Sequence, residues 1–179
     1  WHAASRSFDA VLREWPRDAL ALQTAHLMDF FRGDALNLRN RVSRVLPSWS
    51  EGVPGYAYVL GMHAFGYEEC ADYARAEEVG LHALDLGAKD VWAIHAVVHT
   101  YEMEGRIDEG IRFLVDRQGD WADGNLFTVH NWWHLALCHL ESGNYDRVLE
   151  LYDQRIRATP SEVPLEMIEV QSGAYLGED

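Results

Sequence analysis

Apolar residues recur at spacings of three and four in stretches near residues 18–32, 34–46, 54–68, 72–86, 91–104, 107–118, 126–142 and 145–156. Short breaks of Gly, Pro, Asp or Asn part them. That spacing puts the apolar side chains on one face of a 3.6-residue helix, so each stretch predicts a helix, and no stretch alternates as a strand would. The fold expected is therefore all-α.

The helices repeat. Gly33, Ala71, Gly105 and Gly143 stand at the same point between two helices, at intervals of 38, 34 and 38 residues. Thirty-four residues is the tetratricopeptide period, and the longer intervals carry insertions around Pro47–Gly55 and Gln118–Asn125. Eleven residues before each turn stand Leu22, Leu60, Ile94 and Trp132, where a large apolar side chain belongs. Seven before stand His26, Ala64, Val98 and Ala136, where helices approach closely; four before stand Asp29, Tyr67, Tyr101 and His139. Five after the turn come Leu38, Ala76, Gly110 and Val148. Repeats near 19–52, 57–90, 91–124 and 129–162 follow, the first matching poorly at His26 and Asp29, with Pro160 closing the fourth. Residues 1–15 and a helix near 162–176 are expected to cap the ends, because an end repeat must hide its apolar face. The expectation is one domain over 1–179, a tetratricopeptide-like α-α superhelix of antiparallel helix pairs. The chain begins at Trp1 rather than Met, which suits a portion of a longer protein.

In such arrays the first helix of each pair lines a concave groove. Read in that register, the second repeat presents Tyr58, Gly61, Met62, Phe65, Glu68 and Glu69. The third presents Trp92, His95, Ala96, His99, Glu102 and Met103, and the fourth His130, Trp133, His134, Leu137, Leu140 and Glu141. His95, His99 and Glu102 then share one helical face, and His130 and His134 repeat the four-residue histidine spacing on the next groove helix. Four histidines with Glu68 and Glu102 are expected to converge on one concave patch.

Three kinds of chemistry fit that patch. The histidines can satisfy buried carboxylates and tyrosines in a polar seam. They can form a ligand-binding or acid-base site in which His99, Glu102 and His134 act on a substrate, with Glu68, Trp92, His95, His130, Asn131 and Trp133 contacting it. Or His95, His99, His130 and His134 can ligate zinc or another divalent metal, since imidazoles four apart on a helix have ligand spacing. HxxxH alone is a common pattern, and there is neither an HExxH nor a cysteine pair. Its doubling on adjacent groove helices gives it weight, as does Glu102 on the same face. Cys138, four residues after His134, raises a thiol-imidazole pair without a third orienting group. His26 and His63 are expected to be buried and hydrogen-bonded, and the tryptophans to line core and groove. The inserted loop around Asp120–Asn125 is expected to fold over the groove mouth.

Composition narrows the partners. Twenty-nine Asp and Glu against 15 Lys and Arg give a formal charge of -14, which disfavours nucleic acid and anionic membrane surfaces. No apolar run reaches the roughly 20 residues of a membrane helix. Cys70 and Cys138 lack CxxC spacing, as expected of reduced thiols in a cytoplasmic protein.

The segments DVWAIHAVVHTYEMEGRIDEGIRFL and HNWWHLALCHLESGNYDRVLELYD resemble the signature region of the tetratricopeptide repeat protein 38 family. GMHAFGYEECADYARAEEVGLHAL is similar to that family's upstream repeat. The resemblance runs from about Gly55 to Tyr152 and implies an α-α superhelix within proteins of several hundred residues. Its histidine elements match His95, His99, His130, Asn131 and His134, but it implies no reaction. The peptide clamps of this fold hold a carboxylate terminus with Lys, Arg and Asn from the groove. Here the groove positions of repeats two to four carry neither Lys nor Arg, so such a clamp is not expected. The function read from sequence is a scaffold or binding protein whose groove takes a small molecule or peptide, with a metal-assisted or acid-base hydrolase as the alternative.

Overall fold

A computed structural model describes residues 2–87, 89–124, 127–158 and 162. Among them every regular element is helical: α1 (His2–Glu14), α2 (Ala19–Phe31), α3 (Ala35–Val45), α4 (Tyr56–Glu68), α5 (Tyr73–Leu86), α6 (Val91–Met103), α7 (Ile107–Asp116), α8 (Gln118–Trp121), α9 (Thr128–Glu141) and α10 (Tyr145–Leu151). A 3₁₀ turn follows α3 at Leu46–Ser48, and α10 runs into a π-helical turn at Tyr152–Ile156. The expected terminal helix and Pro160 lie outside the described residues. None of these helices is long and apolar enough to cross a membrane.

One backbone device closes the first helix of every pair. Gly33, Ala71, Gly105 and Gly143 all have positive φ, from 58° to 73°. At each, the next residue's N–H reaches back five residues: Asp34 to Asp29, Asp72 to Tyr67, Arg106 to Tyr101, Asn144 to His139. The left-handed residue's own N–H returns three, to Phe30, Glu68, Glu102 and Leu140. These are Schellman ends, which satisfy the last carbonyls of one helix and reverse the chain. At the first of them the Asp34 carboxylate accepts from the Asn37 N–H and starts α3 directly.

The chain groups into two compact units, Trp1–Thr100 and Tyr101–Asp179. The division falls inside α6. In the first unit Leu12, Leu22, Val42, Val45, Trp49, Val59 and Met62 form one core cluster, with Phe8 and Val11 of α1 packed against it. Leu38, Ala64, Phe65 and Ala96 form another. In the second unit Leu114, Trp121, Trp132, Leu135, Ala136, Val148 and Leu151 are buried. The large apolar positions read from the repeat, Leu22, Leu60, Ile94 and Trp132, are all buried, as are Leu38, Ala76, Gly110 and Val148.

Both insertions are anchored by tryptophan. After α3, Trp49 is buried and its indole N–H donates to the Pro16 carbonyl at 2.9 Å. In the second, Trp121 is fully buried at the end of α8, donates to the Leu114 carbonyl at 2.9 Å and meets Trp132 edge-on. Within the second insertion Trp121 turns inward, because burying an indole whose N–H is satisfied outweighs leaving it on a loop, while Asp123 and Gly124 stay exposed.

The poorly matching first repeat has its own solution. Asp29, where other repeats carry Tyr or His, is fully buried and meets the buried Arg41, whose Nε and Nη2 donate to its two oxygens at 2.7 and 3.1 Å. Asn37 Nδ2 donates to the same carboxylate at 3.0 Å. Arg41 goes on to donate to Asp9 and Ser5 of α1. A charge pair this deep survives only with its remaining groups hydrogen-bonded, and here they are.

Ala71 alone among the four turn residues holds the left-handed conformation with a Cβ. That costs an L-residue roughly 1–2 kcal/mol, partly offset by glycine's larger entropy loss of roughly 0.5–1 kcal/mol. Ala71→Gly should therefore raise the urea unfolding free energy by up to about 1 kcal/mol, and Gly105→Ala should lower it by a similar amount. Equal stability of Ala71→Gly and the parent, or a loss, would contradict this account of the turn.

Candidate metal centre

α6 carries His95, His99 and Glu102 on one face because 3.6 residues per turn align positions four and three apart. Its start is fixed by Asp90, whose Oδ1 accepts from the Trp92 N–H at 3.1 Å and the Ala93 N–H at 3.4 Å. The approach of α4 to this start depends on Gly61. A Cβ there would sit 2.2 Å from Asp90 Oδ2 and 3.1 Å from the Ala93 nitrogen. The sequence register gives Gly61, Met62, Phe65 and Ala96 to an open groove, but here they are packing positions. Gly61 lies against Asp90, and Met62, Phe65 and Ala96 are buried, because close helix approach needs small residues and encloses their neighbours.

Within the first unit, the His95 and His99 rings meet edge-to-face with centroids 4.3 Å apart. Phe65 lies 5.1 Å from His95 and 6.3 Å from His99, and Trp92 lies 6.4 Å from His95. Glu68, buried on α4, places Oε1 3.5 Å from His99 Nδ1. His95 is 3% exposed, whereas the His99 side chain is 26% exposed. One histidine is sealed and the other reaches the surface.

Within the second unit, α9 supplies His130 and His134, with ring centroids 4.5 Å apart. His134 is 2% exposed, and its Nδ1 lies 2.9 Å from Glu102 Oε2. A carboxylate only accepts, so the imidazole donates there and its Nε2 faces the other way. That Nε2 stands 3.0 Å from His130 Nε2. Trp133 stacks parallel to His130 at 5.7 Å, and Phe127 meets the same ring edge-on at 5.8 Å.

His95, His99, His130 and His134 each offer one ring nitrogen, and these four atoms lie within 4.8 Å of one another. They form a histidine cluster that can hold a metal ion. The donor set is all nitrogen, with carboxylates placed behind two of the rings, an arrangement that suits zinc, copper or nickel better than magnesium or calcium. The sequence matches no known family model.

Other residues fall differently. Asn131 is fully buried, and its amide finds no hydrogen-bond partner among the described residues. Cys138 is also fully buried, and burial, with Glu102 and Glu141 adding to it, pushes its thiol up to about 12, so it is no thiolate nucleophile. Cys70 and Cys138 are both free thiols. His63 is buried and hydrogen-bonds Ser43 at 2.9 Å, as expected. His26 is buried too, packed among Phe65 and Trp92. Burial above all lowers His26 to about 3 and His63 to about 4, so both are neutral packing residues.

Sequence reasoning missed Asp90. A helix-start Asp is ordinary, and only the proximity of α4 shows that its Oδ2 is buried without a hydrogen-bond partner. Burial raises Asp90 to about 7, the two backbone donors offsetting part of that. An acid raised above its unfolded value contributes stability below about pH 4 that is lost as pH climbs through 7. His26 and His63 act in the opposite direction, losing stability as pH falls below 6.5. Asp90→Asn keeps a capping oxygen and the histidines, so the variant-minus-parent difference in unfolding free energy isolates the acid. It should grow between pH 4 and 8, each pH unit in a group's pKa being worth about 1.4 kcal/mol. A flat difference across that range would show that Asp90 titrates normally.

Proposed function

We propose that this protein is a helical-repeat metal-binding protein whose bound ion, held by His95, His99, His130 and His134, presents a ligand site to a small molecule or peptide. The observation that carries the reading is the gathering of four ring nitrogens within 4.8 Å. Tetrahedral zinc with nitrogens at about 2.0–2.1 Å sets them roughly 3.3 Å apart. His130 Nε2 and His134 Nε2 already stand 3.0 Å apart. Glu102 holds His134 Nδ1 at 2.9 Å, leaving its Nε2 as the ligating atom, as carboxylates commonly do behind metal-bound histidines, and Glu68 Oε1 lies 3.5 Å from His99 Nδ1.

The four equivalent Schellman turns, and the resemblance of residues 61–84, 90–114 and 130–153 to the tetratricopeptide repeat protein 38 family, support an α-α superhelix as the scaffold. Free thiols suit a reducing compartment such as the cytoplasm. The Glu102–His134 pair supports a second reading, acid-base hydrolysis in which an oriented imidazole accepts a proton, with His99 at the accessible side.

The test is metal content and metal-dependent stability. Chelator-treated protein should take up about one zinc per chain and melt higher with it, the gain reaching about 2.7 kcal/mol at a hundredfold excess over Kd. His99→Ala should abolish uptake and leave the metal-free melting temperature nearly unchanged. Glu102→Gln should weaken affinity about 10–100-fold. No zinc uptake, together with a large fall in metal-free stability in both His99→Ala and His134→Ala, would leave a structural polar seam as the better account.

A further inference from the structure

The first unit has a second concave feature, of different character. A cavity of about 630 Å³ opens along α1 and α3, and its lining includes Arg13, Arg41 and Arg44 with the single acid Asp9. These residues fall on facing stripes. Asp9 and Arg13 are four apart on α1, while Asn37, Arg41 and Arg44 are four and three apart on α3. The chain carries a formal charge of -14, yet this wall is positive. Arg41 and Arg44 pair with Asp9, and three arginines against Asp9 and the Asp29 behind Arg41 leave a net charge of +1. Apolar surface continues the same wall through Leu12, Val45 and Pro16.

We propose that this cavity binds an organic carboxylate bearing an apolar tail. The volume lies within the range of small-molecule sites. Arg41 is almost fully buried and fixed by Asp29, Asp9 and Ser5, so its guanidinium is set in place before any ligand arrives. Arg44 is 53% exposed and shares Asp9 with Arg41 at 3.2 Å, and Arg13 is exposed, so both can turn toward an incoming anion. A planar guanidinium pairs with a carboxylate through two parallel N–H donors, which a lysine does not offer. Leu12, Val45 and Pro16 take the tail, and Asp9 repels a second negative charge. The site is thereby selective for a monoanion over a polyanion. It uses none of the histidine cluster's residues and stands or falls separately from it.

Calorimetric titration of the whole chain with octanoate, inorganic phosphate and octylammonium tests the assignment. Octanoate should bind near one per chain, with phosphate and octylammonium at least about tenfold weaker. Arg13→Gln with Arg44→Gln should weaken octanoate at least about tenfold while the melting temperature stays put, since neither side chain is buried. If the double variant melts lower, Arg13→Gln alone, on the exposed side of α1, should still lose affinity. Octanoate binding that is absent, matched by octylammonium or phosphate, or unchanged in Arg13→Gln would overturn the proposal.

Discussion

The structure depends on one local constraint, a left-handed residue closing the first helix of each pair. Because Gly33, Ala71, Gly105 and Gly143 all satisfy it, each second helix starts two residues later in the same phase. Phase then decides burial. Leu22, Leu60, Ile94 and Trp132 turn inward because each lies eleven residues, about three turns, before its left-handed residue. A turn one residue longer would rotate every following side chain by about 100° and move His130 and His134 off their face. The chemistry is therefore held in place by backbone geometry that no functional side chain supplies.

On this frame, close packing and polar groups are set against each other around α6. Gly61 admits the Asp90 carboxylate to within what would be Cβ distance, and Gly80 admits Val97. Such closeness excludes water, so the polar groups left inside must be paired or neutral. Arg41 and Asp29 take the first course, with hydrogen bonds to Asn37, Ser5 and Asp9. His26 and His63 take the second, remaining uncharged well below neutral pH. The buried His26 and His63 thus differ from two histidines of the cluster. His26 and His63 have no carboxylate on their nitrogens, whereas His134 is backed by Glu102 and His99 approaches Glu68.

Helix positions, the four turn residues and the buried stripe were legible in the sequence because each follows from a short period or from a residue with special backbone freedom. The expected stretches at 54–68, 72–86 and 91–104 meet helices at Tyr56–Glu68, Tyr73–Leu86 and Val91–Met103. The histidine pairs were legible too, since a four-residue spacing on a helix is a geometric statement. The place of the division within α6 has no local signal in the sequence. Nor was the inward turn of Trp121 legible, because a tryptophan between Asp120 and Asp123 reads as loop until its indole finds the Leu114 carbonyl. No local signal marks Arg41 for burial. Its partners Asp9 and Asp29 lie 32 and 12 residues away, beyond any helical period.

The two polar sites then divide by the hydrogen-bonding character of what lines them. Arginine has only donors, so a wall built on Arg13, Arg41 and Arg44 can satisfy an anion and has nothing to offer a cation beyond Asp9. A neutral imidazole whose Nδ1–H is taken by a carboxylate presents a lone pair at Nε2, so His134 offers an acceptor in the direction away from Glu102. Histidine and glutamate together can stabilise a divalent ion without importing a balancing anion, because the carboxylates at Glu68 and Glu102 already stand behind the rings. Arginine in their place would repel the ion, and none of the groove positions read from repeats two to four carries one. Donor-only and acceptor-presenting surfaces therefore sit in different parts of the sequence, and a ligand suited to one is rejected by the other on charge alone.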